Sequence, residues 1–430
     1  MKAKNLFILW IGFVLLSNQT HAVTSSAPDT KIITVTLDDV VKKVSSENYR
    51  VYGNALRVYQ ARESIQVARM NLLPKLNLWR IAEVAVDPGS PSSLIGLVGD
   101  IAPFLVPANW FRLEASKVLY NAEQEGYRAL WANELMTAKA LFIHLLLDQS
   151  LLEHIQKSEK ELRQLLIIVE NREMLGGAPQ GASRDIEVRL LSLQEDIRNL
   201  QVLVNEEESL LTYMMGFSSN TVVKPASLQM PNFESYVPLD YLDFEFRTVD
   251  SAPEIRQYDY FISASDSVRK EAMFSLLGTS GMSRGVAGGV FDGIPIQDGL
   301  GFGTPASMRI VSAQKEILQT QRRGVLETVK RQLKLLVSNY NLDLESYANL
   351  QKRVQLTQAA NDQLYERLSL GRAVDTIELI EASRNHIQAE TGFFSLKFRF
   401  LTTEDKLARL IFHGDYTKKP VVIESLKERN

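Results

Sequence analysis

The sequence predicts a mainly α-helical chain, built from tandem-duplicated long antiparallel coiled-coil helices that carry two small β-hairpin insertions per protomer. Three observations lead there. Apolar residues recur at every seventh position, two stretches of roughly 65 residues hold helical character without a break, and the same order of segments occurs twice.

The period is read first in 37–72, where Leu37, Val44, Val51, Val58, Ile65 and Leu72 follow one another at seven-residue spacing. Leu190, Ile197, Val204 and Leu211 repeat it in 183–216. In 307–370 the row is Leu326, Leu333, Tyr340, Tyr347 and Val354, with Val329, Leu336, Leu350 and Leu364 running parallel three residues later. A sustained period of 3.5 residues requires left-handed supercoiling against a neighbour. The predicted helix 111–175 is on the order of 95 Å long at ~1.5 Å per residue, and 307–370 matches it. The flanking helices 37–72 and 183–216 are each about half as long, so stacked end to end they line one long partner. Rods of these proportions leave apolar faces for other subunits.

The repeat follows from local matches. Leu72-Leu73 before Pro74 corresponds to Leu276-Leu277 before Gly278, 204 residues on. Trp110-Phe111-Arg112-Leu113 corresponds to Ser307-Met308-Arg309-Ile310, and the turn Gly176-Gly177 to Leu370-Gly371, both at an offset near 195. The expected organisation is a signal peptide at 1–22, a first repeat at 23–218, a connector at 219–237, a second repeat at 238–414 with helices 307–370 and 374–412, and a tail at 415–430. Between short and long helices lie the two insertions, 74–109 and 278–306. Pro88, Pro91, Pro103 and Pro107 in the first and a glycine-rich second exclude continuous helix, and 75–86, 94–106 and 285–296 are the candidate strands.

Lys2 and Lys4 precede an apolar run from Leu6 to Leu16 and a polar stretch ending Thr20-His21-Ala22, the pattern of a cleaved secretory signal. The formal charge of −3 falls to −5 without those lysines, which gives no attraction to nucleic acid. The absence of cysteine excludes disulfides, thiolate metal sites and a lipidated N-terminal cysteine. No later segment approaches 18 uninterrupted apolar residues, so helical membrane spans are not expected.

The run Leu72-Leu73-Pro74-Lys75-Leu76-Asn77-Leu78, the turn-and-return segment 371–382 and the twice-repeated order of helix, hairpin, long helix and returning helix resemble the TolC-type outer-membrane factor family over nearly the whole mature chain. That resemblance implies a homotrimer forming an α-barrel through the periplasm and a twelve-stranded β-barrel in the outer membrane, four strands from each subunit. It also implies two partners, an inner-membrane transporter and a periplasmic adaptor protein docking on the helical tips, in an efflux or type I secretion system. Closure by threefold assembly would also remove the exposed edges that a lone pair of hairpins carries.

By the same resemblance, Ile377-Glu378-Leu379-Ile380-Glu381-Ala382 corresponds to an acidic pore constriction. Glu378 and Glu381 share one helical face, and three copies would ring an aperture with six carboxylates that favour cations. Asp375 is a further constriction candidate. Arg372, Arg184 and Asp185 beside the turns are candidates for an aperture latch, although exposed pairs contribute only ~0–1 kcal/mol. Gly176, Gly177 and Gly371 are expected to turn the chain at the adaptor-docking tips.

No catalytic, cofactor or metal constellation is expected. His144, His154, His386 and His413 show no pairing along the sequence, and Gly299-Leu300-Gly301-Phe302-Gly303 lacks the lysine of a phosphate loop. Tyr120, Tyr127, Tyr340 and Tyr347 fall at helical spacing and are read as packing residues. A second reading of the same residues is a periplasmic scaffold that keeps the coiled coil without a competent membrane barrel.

Overall fold

The computed structural model describes residues 31–74, 102–177, 179–230, 232–275, 290–291, 294, 303–370, 372 and 374–424. The signal segment, most of both insertions and Gly371 lie outside them. Eight α-helices are described: α1 Leu37–Glu47, α2 Tyr49–Met70, α3 Pro107–Met174, α4 Ala182–Met214, α5 Tyr241–Ser251, α6 Pro253–Phe274, α7 Thr304–Ser369 and α8 Thr376–Leu410. Two strands, β1 Lys31–Val35 and β2 Thr221–Pro225, pair in parallel with Lys31 opposite Thr221 and Val35 opposite Pro225.

The helix expected over 37–72 is two helices, and Asn48 is the reason. Its backbone is extended (φ −61, ψ 126), which ends α1, and its Oδ1 accepts from the backbone N–H groups of Arg50 and Val51, which starts α2. Its Nδ2 donates to the Met214 carbonyl at 2.9 Å, tying the break to the end of α4. The seven-residue row continues across the break, with Val44, Val51, Val58 and Leu72 buried. Continuity of the buried face hides the interruption from a periodicity argument.

The same pair of lengths recurs as α5 and α6, of 11 and 22 residues like α1 and α2, each 204 residues further along. The long helices α3 and α7 have 68 and 66 residues, and the returning helices α4 and α8 have 33 and 35. Val106 and Pro107 open α3 four residues earlier than expected, because proline at the first helical position has no N–H to leave unsatisfied. The end of the expected strand 94–106 is instead a 3₁₀ turn at Pro103–Leu105, and Val290 and Phe291, within the expected strand 285–296, form a turn. Thr304 already belongs to α7, inside the expected insertion.

α3 is the spine. It packs against α2 and α4 along one side and against α6 and α8 from the second half. α6 lies between the two long helices, held to α7 by the exposed pairs Asp259–Arg322 and Asp266–Lys315 and to α3 by the buried pair Arg112–Glu271. By length and composition an 18-residue window of α3 is apolar enough to cross a membrane, and half of it is buried inside the protein. Trp131, Leu135, Phe142 and Leu145 of α3 form the core with β1, β2 and α1. Tyr127 and Tyr340 are buried and Tyr120 and Tyr347 pack at the edges of apolar clusters.

The expected connector contains β2 and a 3₁₀ turn at Phe233–Ser235. The expected tail starts as packed structure. Tyr416 is fully buried and donates to Asp405 at 2.7 Å, while Lys139 pairs with Asp405 and, at 3.4 Å, with Asp415. Beyond it, the carbonyls of Val421 and Glu424 accept from Tyr127 and Arg62.

Candidate functional site

The end of the molecule where α3 turns into α4 and α7 turns into α8 carries every candidate site residue among the described ones; Gly371 lies outside them. Both turns stand on one apolar cluster, with Leu162, Leu165 and Val169 from α3, Ile186, Leu190 and Leu193 from α4, Leu364 and Leu368 from α7 and Leu379 from α8. Four helix ends are thereby fixed against each other before any polar contact is made.

Gly176 ends α3 in the left-handed conformation at φ 72, and the Gly177 N–H closes the turn on the Arg172 carbonyl at 2.7 Å. The second turn has the same closing bond, from the Arg372 N–H to the Arg367 carbonyl at 3.1 Å. Gly181 (φ 93) leads into α4.

Two residues that sequence reasoning passed over join these turns. The Arg172 guanidinium donates to the carbonyls of Leu368 (2.8 Å) and Arg372 (3.3 Å), so a cation from one hairpin caps the carbonyl end of α7 in the other. The Glu173 carboxylate accepts from the backbone N–H of Gly181 and, at 3.3 Å, of Ser183, capping α4 from outside. Hydrogen bonds from Ser183 and the Gly181 backbone hold Glu173 below the usual carboxylate range. A glutamate in the last turn of a helix sits against the helix dipole, which was the available signal that it serves another element.

On α8, Asp375 is the N-cap, its Oδ1 accepting from the Ile377 N–H at 3.0 Å. Leu379 and Ser383 face inward and are buried. Glu378, Glu381, Asn385 and Gln388 fall on the opposite face and are exposed. The two carboxylates therefore stand on the open side of the tip, unengaged by ion pairs among the described residues. Arg184, Asp185 and Arg372 are also exposed, and among the described residues none forms an ion pair with Asp375, Glu378 or Glu381. Within one subunit, the arginine that joins the two hairpins is Arg172.

Histidines that look isolated in sequence meet farther along the same rods. His154 on α3 and His386 on α8 both face Glu390, with Nε2 atoms 2.7 and 3.6 Å from Oε2. Among the described residues, no trio of histidine, aspartate or glutamate side chains is arranged to hold a metal ion.

Both long hairpins also present apolar residues away from the core. Val188, Leu191 and Val202 on α4 and Leu335, Leu342 and Leu356 on α7 are each more than half exposed. The three α7 leucines are spaced at multiples of seven, next to the inward row of Leu333 and Tyr340. A second apolar row on the outer face of α7, beside the one that packs on α5, α6 and α8, is the pattern of a helix with a further partner.

No family model and no curated protein sequence matches the chain. Solved structures do. A membrane protein from Pseudomonas aeruginosa superposes with a TM-score of 0.71 at 14% identity, covering 93% of this chain and 96% of that one. The outer-membrane channel OprN gives 0.69 at 14% identity, covering 88% and 90%. The Campylobacter jejuni CmeC outer membrane channel gives 0.68 at 13% identity, covering 95% and 94%. Near-complete coverage in both directions means that the whole arrangement of rods is shared, and the chain has the TolC-type outer-membrane factor fold.

Proposed function

We propose that the chain is one subunit of a homotrimeric, passive channel in the outer membrane, continued through the periplasm by its helical tube, in an efflux or type I secretion system. The observation that carries this reading is the row of exposed leucines at seven-residue spacing on α7 together with the exposed apolar face of α4. A monomer leaves both open to water, whereas neighbouring copies in a closed ring cover them. The shared fold with outer-membrane channels gives the ring its purpose.

In that assembly an N-terminal signal exports the chain, and the insertions 74–109 and 278–306 supply the membrane barrel. The two repeats, 23–218 and 238–414, alternate around the tube. The turns at Gly176, Gly177 and Gly371 form the tip on which a periplasmic adaptor docks, and an inner-membrane transporter supplies the energy. Glu378 and Glu381, with Asp375 at the helix cap, line the constriction. Arg372, Arg184 and Asp185 latch it by pairing across subunit boundaries, a reading supported by their exposure and by the lack, among the described residues of one subunit, of an ion pair between them and the acidic tip residues.

The test is subunit counting by crosslinking in detergent extracts of the outer membrane, followed by conductance in planar bilayers. A trimer that conducts is expected, with Glu378→Gln and Glu381→Gln each lowering cation preference. A monomer released without detergent and lacking conductance overturns the channel and leaves the scaffold reading.

A further inference from the structure

Glu390 lies on α8 at its seam with α3, and two histidines approach it from different helices. His154 reaches from α3 to 2.7 Å and His386, one turn earlier on α8, to 3.6 Å of the same oxygen. The His154 Nε2 and Glu390 Oε2 atoms are both sealed from water, and neither has a hydrogen-bond partner elsewhere among the described residues. An imidazole nitrogen and a carboxylate oxygen at that distance repel unless a proton lies between them. The other ring nitrogen of His386 is 3.4 Å from Thr357 Oγ1, so the cluster also touches α7. Lys157 and Glu161 on α3 complete its charged surroundings, with Tyr365 of α7 beside Glu161 and the Phe394 ring of α8 against His154.

We propose that His154, His386 and Glu390 form a proton-responsive latch that holds α8 against α3 at neutral pH and loosens that seam in acid. At neutral pH, an N–H of uncharged His154 on the Glu390 carboxylate satisfies both buried atoms. Acid places positive charge on the buried His154 ring, and neither Glu390, shared with His386, nor Glu161, 3.9 Å from Lys157, offsets the cost of burying it.

Histidine changes charge between pH 5 and 8, which sets the working range. Burial, more than any neighbouring charge, holds His154 below the ordinary histidine value; Glu390 pulls in the opposite direction, and His386 and Lys157 push it down further. The packed seam thus binds its proton less readily than an opened one. Its stability is complete at neutral pH and is lost as pH falls from the ordinary histidine value toward the lowered one.

Glu378 and Glu381 stand eight and five residues before His386 on the same continuous helix. Displacing α8 at the latch therefore displaces the acidic face at the tip. That last consequence rests on the channel reading, but the latch itself does not.

The cysteine-free sequence makes the measurement direct, since any introduced cysteine is the only labelling site in its helix. In the full chain carrying Lys160→Cys and Gln388→Cys, spin labels report the α3–α8 separation by pulsed dipolar spectroscopy between about pH 7.5 and about pH 5. The distance distribution is expected to shift outward on acidification. His386→Gln, which leaves Glu390 to His154 alone, is expected to keep the neutral-pH distance and to reduce the shift. Glu390→Leu, which removes the acceptor of the His154 N–H, is expected to start from the displaced distance at neutral pH. A separation independent of pH in the parent, or an acid transition unaltered in His386→Gln, overturns the latch. Conductance is recorded in parallel: an acid-induced shift in a protein that never conducts supports the latch while removing the channel, and an invariant distance in a conducting trimer does the reverse.

Discussion

The two halves of the chain make the same joint with different chemistry. In the first half the end of α4 meets the break between α1 and α2, where Asn48 caps one helix and binds the carbonyl of another. Gly216 takes the left-handed conformation there at φ 74, and a Cβ on it would run into the Glu47 carbonyl. In the second half the end of α8 meets the break between α5 and α6. Pro253 opens α6 with no side-chain cap, and Arg409 pairs with Glu254. The residue in the left-handed conformation is Phe412 at φ 50, whose buried ring lies under the guanidinium groups of Arg128 (4.6 Å) and Arg409 (5.6 Å). One half leaves out the side chain that would clash; the other accepts backbone strain and gains a buried aromatic with two cations on its faces.

The seams between long and returning helices differ in the same way. Asp343 on α7 is buried and takes a guanidinium from Arg399 on α8, with Nε 3.0 Å from Oδ1. Asp148, 195 residues earlier on α3, faces an acid instead. Burial first, and then the Asp148 charge and hydrogen bond, push Glu207 of α4 up to about 7. The repeated architecture fixes where a polar group must be accommodated and leaves open whether a cation or a shared proton does so.

The largest expected effect breaks the first joint. Gly216→Val combines a left-handed β-branched residue with a backbone clash, and denaturant titration should show a loss of about 3–5 kcal/mol. Phe412→Gly relieves the strain in the second joint but removes the ring, for a net loss of about 2–4 kcal/mol. A stabilised Phe412→Gly would refute the compensation.

Next is the paired seam. Arg399→Met leaves the Asp343 carboxylate buried without its cation. Because the guanidinium is itself 63% exposed, the expected loss is about 2–3 kcal/mol, below that of a fully buried pair. An unchanged denaturation midpoint would show that water replaces Arg399.

The smallest effect belongs to the acid pair and is one of pH dependence. A carboxyl raised above its ordinary value contributes stability that is complete below about pH 4.5 and lost as pH rises through about 7. The parent should lose stability relative to Glu207→Gln over that window. Since the site is partly open to solvent, the difference is expected to stay under about 1 kcal/mol. Parallel pH profiles for the two proteins would remove the shared proton.

Long helices, their order and their turns were legible because each is written in local chemistry. The seven-residue rows, Pro107 at a helix start and Gly176 after a helix end need no knowledge of distant residues. The parallel pair β1–β2 escaped because each strand is five residues long and finds its partner 190 positions away. At the tip, the exposed face of Glu378 and Glu381 followed from helical spacing. The clasp by Arg172 and Glu173 did not, because both bind backbone groups that any residue would offer.

Sequence by itself determined the rods: their lengths, their apolar seams, the doubling of the unit and the outward-facing surplus of leucines all follow from spacing along one chain. Tertiary structure alone decided the joints. Whether a helix breaks at Asn48, whether Phe412 is held in a strained conformation and whether His154 and His386 share Glu390 depend on helix ends and faces brought together from 155 to more than 200 residues apart. Periodicity reports which side of a helix avoids water; it carries no record of which polar group will be waiting there.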